Sequence, residues 1–190
     1  MLSFEEQLCQ AEDVEVQLVG NEETSLIARN ATELLLLNLV CDRIEEARFV
    51  WRRTLPHVRD ASADLRRSWQ VGACLWMRND IAGATRLLEN ENEWNEDIRD
   101  IVKAVLERVR ENELLLISRA YSTIELSEIA NRLTLSEQQA LDLCRQIDWT
   151  FDPNDGMVLP RNFIESTQDK SFSGLDKLKH VADIMTQLNT

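Results

Sequence analysis

Glycine and proline are scarce in this chain, five and three among 190 residues. With long stretches of 3.6-residue periodicity, their scarcity excludes a loop-rich organisation and points to a mostly helical protein with short connections. No run of about 18 apolar residues exists to span a bilayer; the leucine run Leu34-Leu35-Leu36-Leu37 is interrupted at Asn38. Met1-Leu2-Ser3-Phe4-Glu5-Glu6 lacks the basic start and apolar stretch of a secretory signal, so a cytoplasmic and nuclear protein is expected. Histidine occurs twice, at His57 and His180, without HxH or HExxH spacing, and there is no Gly-rich phosphate loop. His57 follows Pro56 at a helix end, where an imidazole is ordinarily on the surface. The acids from 89 to 93 and the pair Glu96-Asp97 read as a solvated loop and a helix start. The expectation is no enzyme, no cofactor, no metal and no small-molecule substrate. Cys9, Cys41, Cys74 and Cys144 are far apart, show no CxxC spacing and sit mostly on apolar helix faces, as free buried thiols do.

What is present is 44% hydrophobic residues, enough for a real core in one domain or two small lobes sharing an interface. The net charge of -13 is unevenly distributed. Residues 1–42 carry one Arg against nine acids, and residues 43–86 carry nine Arg against five acids. Such segregation suits pairing with protein neighbours better than tracking a phosphate backbone, which needs sustained positive potential.

Helical hairpins fill the segment 1–112. One helix holds Ala31, Leu34, Leu35, Leu37 and Leu39, with Asn30 or Thr32 as its cap. A second places Ile44, Ala47, Val50, Trp51 and Leu55 on one side before Pro56 stops it. Leu65, Trp69, Gly72 and Trp76 recur at helical spacing, with Gly72 expected to admit a neighbouring helix closely. Asp80 caps a short helix with Ile81, Ala84 and Leu87 inward. Asn95 caps a long one striped by Ile98, Ile101, Val102, Val105 and Val109. Paired antiparallel helices of this kind stack into a solenoid. The acidic segment 1–25 suits a flexible arm, or packs through Val14, Val16, Leu18 and Val19.

Residues 113–162 change character. Leu114 to Ile117 and Tyr121 form one helix side, Ile124 is a candidate short strand, and Leu126, Ile129, Ala130 and Leu133 mark a second helix. Ser136 and Gln139 make a capping-box pair opening a third helix, with Ala140, Leu141 and Cys144 inward. Trp149 and Phe151 then alternate with polar residues, Asp152-Pro153-Asn154-Asp155-Gly156 is dense turn chemistry, and Met157-Val158-Leu159 returns as a partner strand. Helix, strand, helix, turn, helix and hairpin, in that order, spell a winged helix. Residues 163–190 read as a linker and a C-terminal helix with a stripe of Leu175, Leu178, Val181, Ala182, Met185 and Leu188.

A stack of helical hairpins running directly into a winged helix is the arrangement of a PCI domain. The segments Ala47-Arg48-Phe49-Val50-Trp51-Arg52-Arg53, Trp69 to Asp80, Ile117 to Ile124 and Met157 to Arg161 resemble the smallest-subunit family of the COP-nine signalosome. The resemblance runs from about Leu34 to Arg161. Small PCI subunits of the proteasome lid and of the translation initiation factor three complex share the fold and the helix-to-wing order. The resemblance implies a non-catalytic scaffold that assembles with other PCI subunits to support deneddylation of cullin-based ubiquitin ligases. It implies wing sheets paired edge to edge and terminal helices gathered in a shared bundle. On that basis Trp149, Phe151, Val158 and Leu159 are candidate contacts at the winged-helix edge, the alternative being that some fill the domain's own core. Leu175, Leu178, Val181, Met185 and Leu188 are candidate contacts of the tail, the alternative being a fold-back on the same chain. A nucleic-acid role competes. The third helix of the winged helix carries Glu137 and Asp142 against Arg145, which disfavours phosphate, whereas arginines among Trp51, Trp69 and Trp76 offer a better surface for it.

Overall fold

Leu34 to Leu37 lie at the centre of a helix with no solvent face along its second half. The computed structural model describes residues 2–161. In α2, Thr24–Val40, every residue from Asn30 to Leu39 except Glu33 is buried. Four consecutive buried leucines, each contributing on the order of 2 kcal/mol by leaving water, make this helix the axis of the first core. The polar side chains within it turn back on their own backbone. Thr32 Oγ1 donates to the Ala28 carbonyl and Asn38 Nδ2 to that of Leu34, both at 2.7 Å. Neither Asn30 nor Thr32 is the expected cap. The helix begins at Thr24, and burial on all sides removes the polar phase that would have located its start.

Helix α1, Phe4–Gln17, opens on a capping box in which Ser3 Oγ accepts the Glu6 N–H at 3.2 Å and Glu6 Oε2 accepts that of Ser3 at 2.8 Å. It is anchored to α2 by Leu8 and Ala11. The acidic start of the chain, through Gln17, is therefore a packed helix. Of the valines expected to hold it, Val16 and Val19 are 72% and 82% exposed. Arg53 closes the far end by donating to Glu15, with Nε 2.7 Å from Oε1.

Helix α3 covers Ile44–Arg53 and α4 covers Pro56–Ala61. Pro56 starts a helix as well as following one. Its ring holds Leu55 extended, which leaves Leu55 exposed instead of on the α3 stripe. Helix α5, Ala63–Ala73, runs into a π-helical turn at Cys74–Arg78 that ends with Asn79 at φ 50°. Gly72, expected to admit a neighbouring helix, instead admits a side chain of its own helix. The indole of Trp76, four residues on, lies over it where a Cβ would overlap the ring. Helix α6, Ile81–Glu89, is capped by Asp80, whose Oδ1 accepts the Gly83 N–H at 2.8 Å. Asn95 caps a 3-10 turn, Glu96–Ile98, which leads into α7, Arg99–Ala120.

Helix α7 runs for 22 residues across the boundary expected at 112. Val102, Val105 and Val109 belong to the first core, while Leu114 and Ile117 belong to a second. That second core is the winged helix: strand β1 (Ile124–Glu125), α8 (Leu126–Leu133), α9 (Glu137–Gln146), β2 (Thr150–Asp152) and β3 (Met157–Leu159). The strands form an antiparallel sheet in the order β1-β3-β2. Ile129, Leu133, Ala140, Cys144 and Trp149 fill the space beneath it. The architecture is a helical stack followed by a winged helix with a small sheet, as the PCI reading requires. Among the described residues no helix is long and apolar enough to cross a membrane.

One polar joint holds the winged helix on α7. Arg132 of α8 donates from its guanidinium to Glu113 Oε1 (3.0 Å), Glu128 Oε1 (2.9 Å) and the Tyr121 hydroxyl (2.9 Å), and its guanidinium carbon lies 5.4 Å from the Tyr121 ring centroid. Glu113 is only 6% exposed and sits on the buried side of α7 between Val109 and Ile117. Hydrogen bonds from Arg132 to Glu128 and Glu113 hold the guanidinium further above its ordinary pKa. A second joint, Arg108 to Asp42 (Nε to Oδ2, 2.9 Å), ties α7 to the end of α2. Burial works against that guanidinium's charge, and its bonds to Asp42 outweigh it, so its pKa is also raised.

The four thiols are free, but only Cys74 and Cys144 are buried; Cys41 is half-buried and Cys9 is exposed on the outer face of α1. Burial pushes the Cys41, Cys74 and Cys144 thiols up, away from reactivity.

Ser136 Oγ accepts the Gln139 N–H at 3.3 Å in a complete capping box, so Ser136→Ala should lower unfolding free energy by about 1 kcal/mol and Ser136→Asp by less, measured by urea denaturation. Arg132→Met leaves the Glu113 carboxylate buried without its cation and should cost about 2–3 kcal/mol in the same measurement. Adding Glu113→Leu should restore much of that; a double variant as weak as the single one would show the pair is not coupled.

Candidate assembly interface

The sheet offers one face to the core and one to solvent, as alternation demands. Val158 pairs with Ile124 on one side and Phe151 on the other, and this row faces inward. Val158 is fully buried, Ile124 is buried, and Phe151 is half-buried against the same core. Trp149, just before β2, is 3% exposed. Of the four candidate edge residues, then, Trp149 and Val158 are enclosed by their own domain, Phe151 is mostly so, and Leu159 alone projects outward at 48% exposure. The reason is parity. In a three-residue strand whose middle residue points inward, only the flanking residues reach solvent.

The edge itself is main chain. Strand β3 is central and paired on both sides, whereas β2 has no strand partner on its outer side among the described residues. Those of its N–H and C=O groups that point away from β3 can accept another strand. The wing turn behind this edge is stiff. Asp152 Oδ1 accepts the Asn154 N–H at 2.9 Å, the Gly156 N–H donates to the Asp152 carbonyl at 3.0 Å, and Gly156 takes φ 67°. The Gly156 carbonyl in turn accepts the Leu126 N–H at 3.1 Å, at the start of a helix that has no side-chain cap.

A second feature lies on the helical stack. Trp51 of α3 and Trp69 of α5 stack with ring centroids 4.8 Å apart and planes 8° from parallel. Trp76 tilts against Trp69 at 5.2 Å, and the Arg59 guanidinium carbon lies 4.9 Å from the Trp51 centroid. All three tryptophans are half-buried, where the stripe pattern places them inside.

The Glu113–Arg132 joint that sets the wing's direction belongs to no sequence motif. Its one signal is a carboxylate at an apolar phase of α7, four residues from Val109 and four from Ile117. The tail candidates Leu175, Leu178, Val181, Met185 and Leu188 lie outside the described residues. Among the described residues no group of three or more His, Cys, Asp or Glu side chains is placed to hold a metal ion.

Known proteins share this sequence pattern. A model of the CSN8/PSMD8/EIF3K family matches residues 26–169. COP9 signalosome complex subunit 8 of Xenopus laevis is 26% identical over 160 residues, covering 84% of this chain and 80% of the frog protein. The Danio rerio protein of the same name is 27% identical, covering 83% and 80%. That of Arabidopsis thaliana is 25% identical, covering 72% and 69%. A match across the α2-to-wing region, over more than half of its length, makes the chain a member of the CSN8/PSMD8/EIF3K family.

Proposed function

We propose that this chain is a non-catalytic scaffold subunit of a COP9 signalosome. The observation that carries the reading is its likeness to subunit 8 from frog, fish and plant across 72% to 84% of its length. The geometry supports it. A helical stack shares one helix with a winged helix whose outer strand is unpaired among the described residues, which suits addition of a neighbouring PCI subunit's strand. The contacts are the β2 main chain and the outward Leu159, with Trp149, Phe151 and Val158 supporting them from beneath. The tail stripe Leu175, Leu178, Val181, Met185 and Leu188 joins a helical bundle shared with other subunits. The assembly supports deneddylation of cullin-based ubiquitin ligases in cytoplasm and nucleus, with the reaction centre supplied by another subunit.

The same family name covers small subunits of the proteasome lid and of an initiation factor complex, and these are the second reading. Purifying the tagged chain from its native source and identifying its companions separates the three, since their subunits differ. Signalosome companions are expected; a set of lid or initiation-factor subunits would replace the reading.

Within that assembly, Leu159→Asp should leave the unfolding midpoint of the lone chain nearly unchanged and reduce recovery of the PCI neighbour. Truncation after Gly174 should release the chain from the bundle; unchanged assembly by the truncated chain would remove the tail from the reading.

A nucleic-acid role fares worse on this geometry. Exposed Glu137 on α9 and exposed Asp148 after it, with Asp142 between them, oppose phosphate where a winged helix would enter a groove. Filter binding at low salt should give no tight, steeply salt-dependent retention of duplex or single-stranded probes.

A further inference from the structure

The tryptophan ladder on α3 and α5 is not accounted for by the wing or the tail. On α3, Trp51 and Arg52 share a face with Arg48; on α5, Arg66, Trp69 and Gln70 do the same. Because Trp51 and Trp69 stack, these two faces form one continuous strip. Arg52, Arg66 and Gln70 are exposed along it. Arg48 is paired with Glu45 and Arg67 with Asp64, so these two acids of α3 and α5 are already engaged. Arg52 and Arg66 have no ion pair among the described residues. Arg43, Arg78 and Arg119 are likewise exposed without an ion pair among the described residues; what distinguishes Arg52 and Arg66 is that they share helices with the stacked indoles.

We propose that this strip, Arg52 and Arg66 flanking the Trp51–Trp69 stack, is a docking surface for an acidic protein segment of a neighbouring subunit. The inference rests on the scaffold reading for its partner and adds a surface on elements separate from the sheet edge. Charge complementarity selects the occupant. Two unpaired guanidinium groups present planar donor forks that fit carboxylates in pairs, and the stacked indoles between them are rigid before binding, so little side-chain entropy is lost. Half-buried tryptophan beside arginine is also the composition in which binding energy concentrates.

The ladder argues against single-stranded nucleic acid as the occupant. A base would need a free indole face to stack on. Trp51 already has Trp69 stacked on it and the Arg59 guanidinium over its ring, and Trp69 already contacts both Trp51 and Trp76. What remains to a visitor is the indole edges and the arginines.

The test uses the full chain in its purified multi-subunit complex, with Gln70 replaced by the photoreactive benzoylphenylalanine. Irradiation and peptide mapping should give a cross-link to a companion segment in which Asp and Glu outnumber Lys and Arg. In parallel, Arg52→Glu with Arg66→Glu should weaken that companion's association about tenfold near 0.15 M salt and by less at 0.5 M, with an unchanged melting temperature. Arg52→Lys with Arg66→Lys should retain most of the association. A cross-link to a basic or uncharged segment, to RNA or to nothing, or a charge reversal without effect in an intact complex, would overturn the docking surface alone. Failure to recover any multi-subunit complex would instead overturn the scaffold reading, and this inference with it.

Discussion

Everything about the shape of this protein depends on α7 belonging to two cores at once. Val102, Val105 and Val109 close the helical stack, and Leu114 and Ile117, on the same rod, open the core of the winged helix. Sharp helix bends arise at proline, glycine or a π-bulge, and the segment 99–120 contains no proline or glycine and is α-helical throughout. The two lobes therefore have no hinge along it. The helix transmits one orientation from Arg99 to Ala120.

Side-chain joints then remove the remaining freedom, which is rotation of the winged helix about that rod. Helix α8 packs against both α6 and α7, and Arg132 fastens it at Glu113, Glu128 and Tyr121. At the other end Arg108 and Asp42 fasten α7 to α2. The acidic first segment thus has a partly internal purpose: Glu15 meets Arg53 of the arginine-rich segment, and Asp42 meets Arg108 of α7. Two surfaces stay open on the outside, the α3 and α5 strip and the outer edge of β2. A scaffold needs this combination of a fixed interior and a few unsatisfied surfaces.

How much of this is legible in the sequence depends on whether an element has two unlike faces. The amphipathic helices α6, α7 and α8 show their stripes, and the capping boxes and turn residues around Ser136 and Asp152 are readable because their chemistry is local. Helix α2 hides its beginning because it is buried nearly all round, so Asn30 and Thr32, polar but satisfied by their own helix or packed within it, look like boundaries. Val16 and Val19 look like core residues, yet Leu8 and Ala11 hold α1. Pro56 reads as a stop, although its fixed φ also starts the next helix. The wing shows in outline, but which of its residues face outward depends on a register that sequence does not fix: one step of parity separates buried Val158 from exposed Leu159. Glu113 is visible as a charge in an apolar stripe, but its partner Arg132, on the next helix, is not.

The bond from the Leu126 N–H to the Gly156 carbonyl has a mechanical meaning. Helix α8 begins without a side-chain cap, and the tip of the wing supplies the missing acceptor across the sheet. Pulling the hairpin away would expose an orphan amide at the root of the helix that carries Arg132. The wing therefore resists deflection as a braced lever does, and a load applied at its outer strand is carried through α8 to the shaft of α7 and not absorbed in the turn.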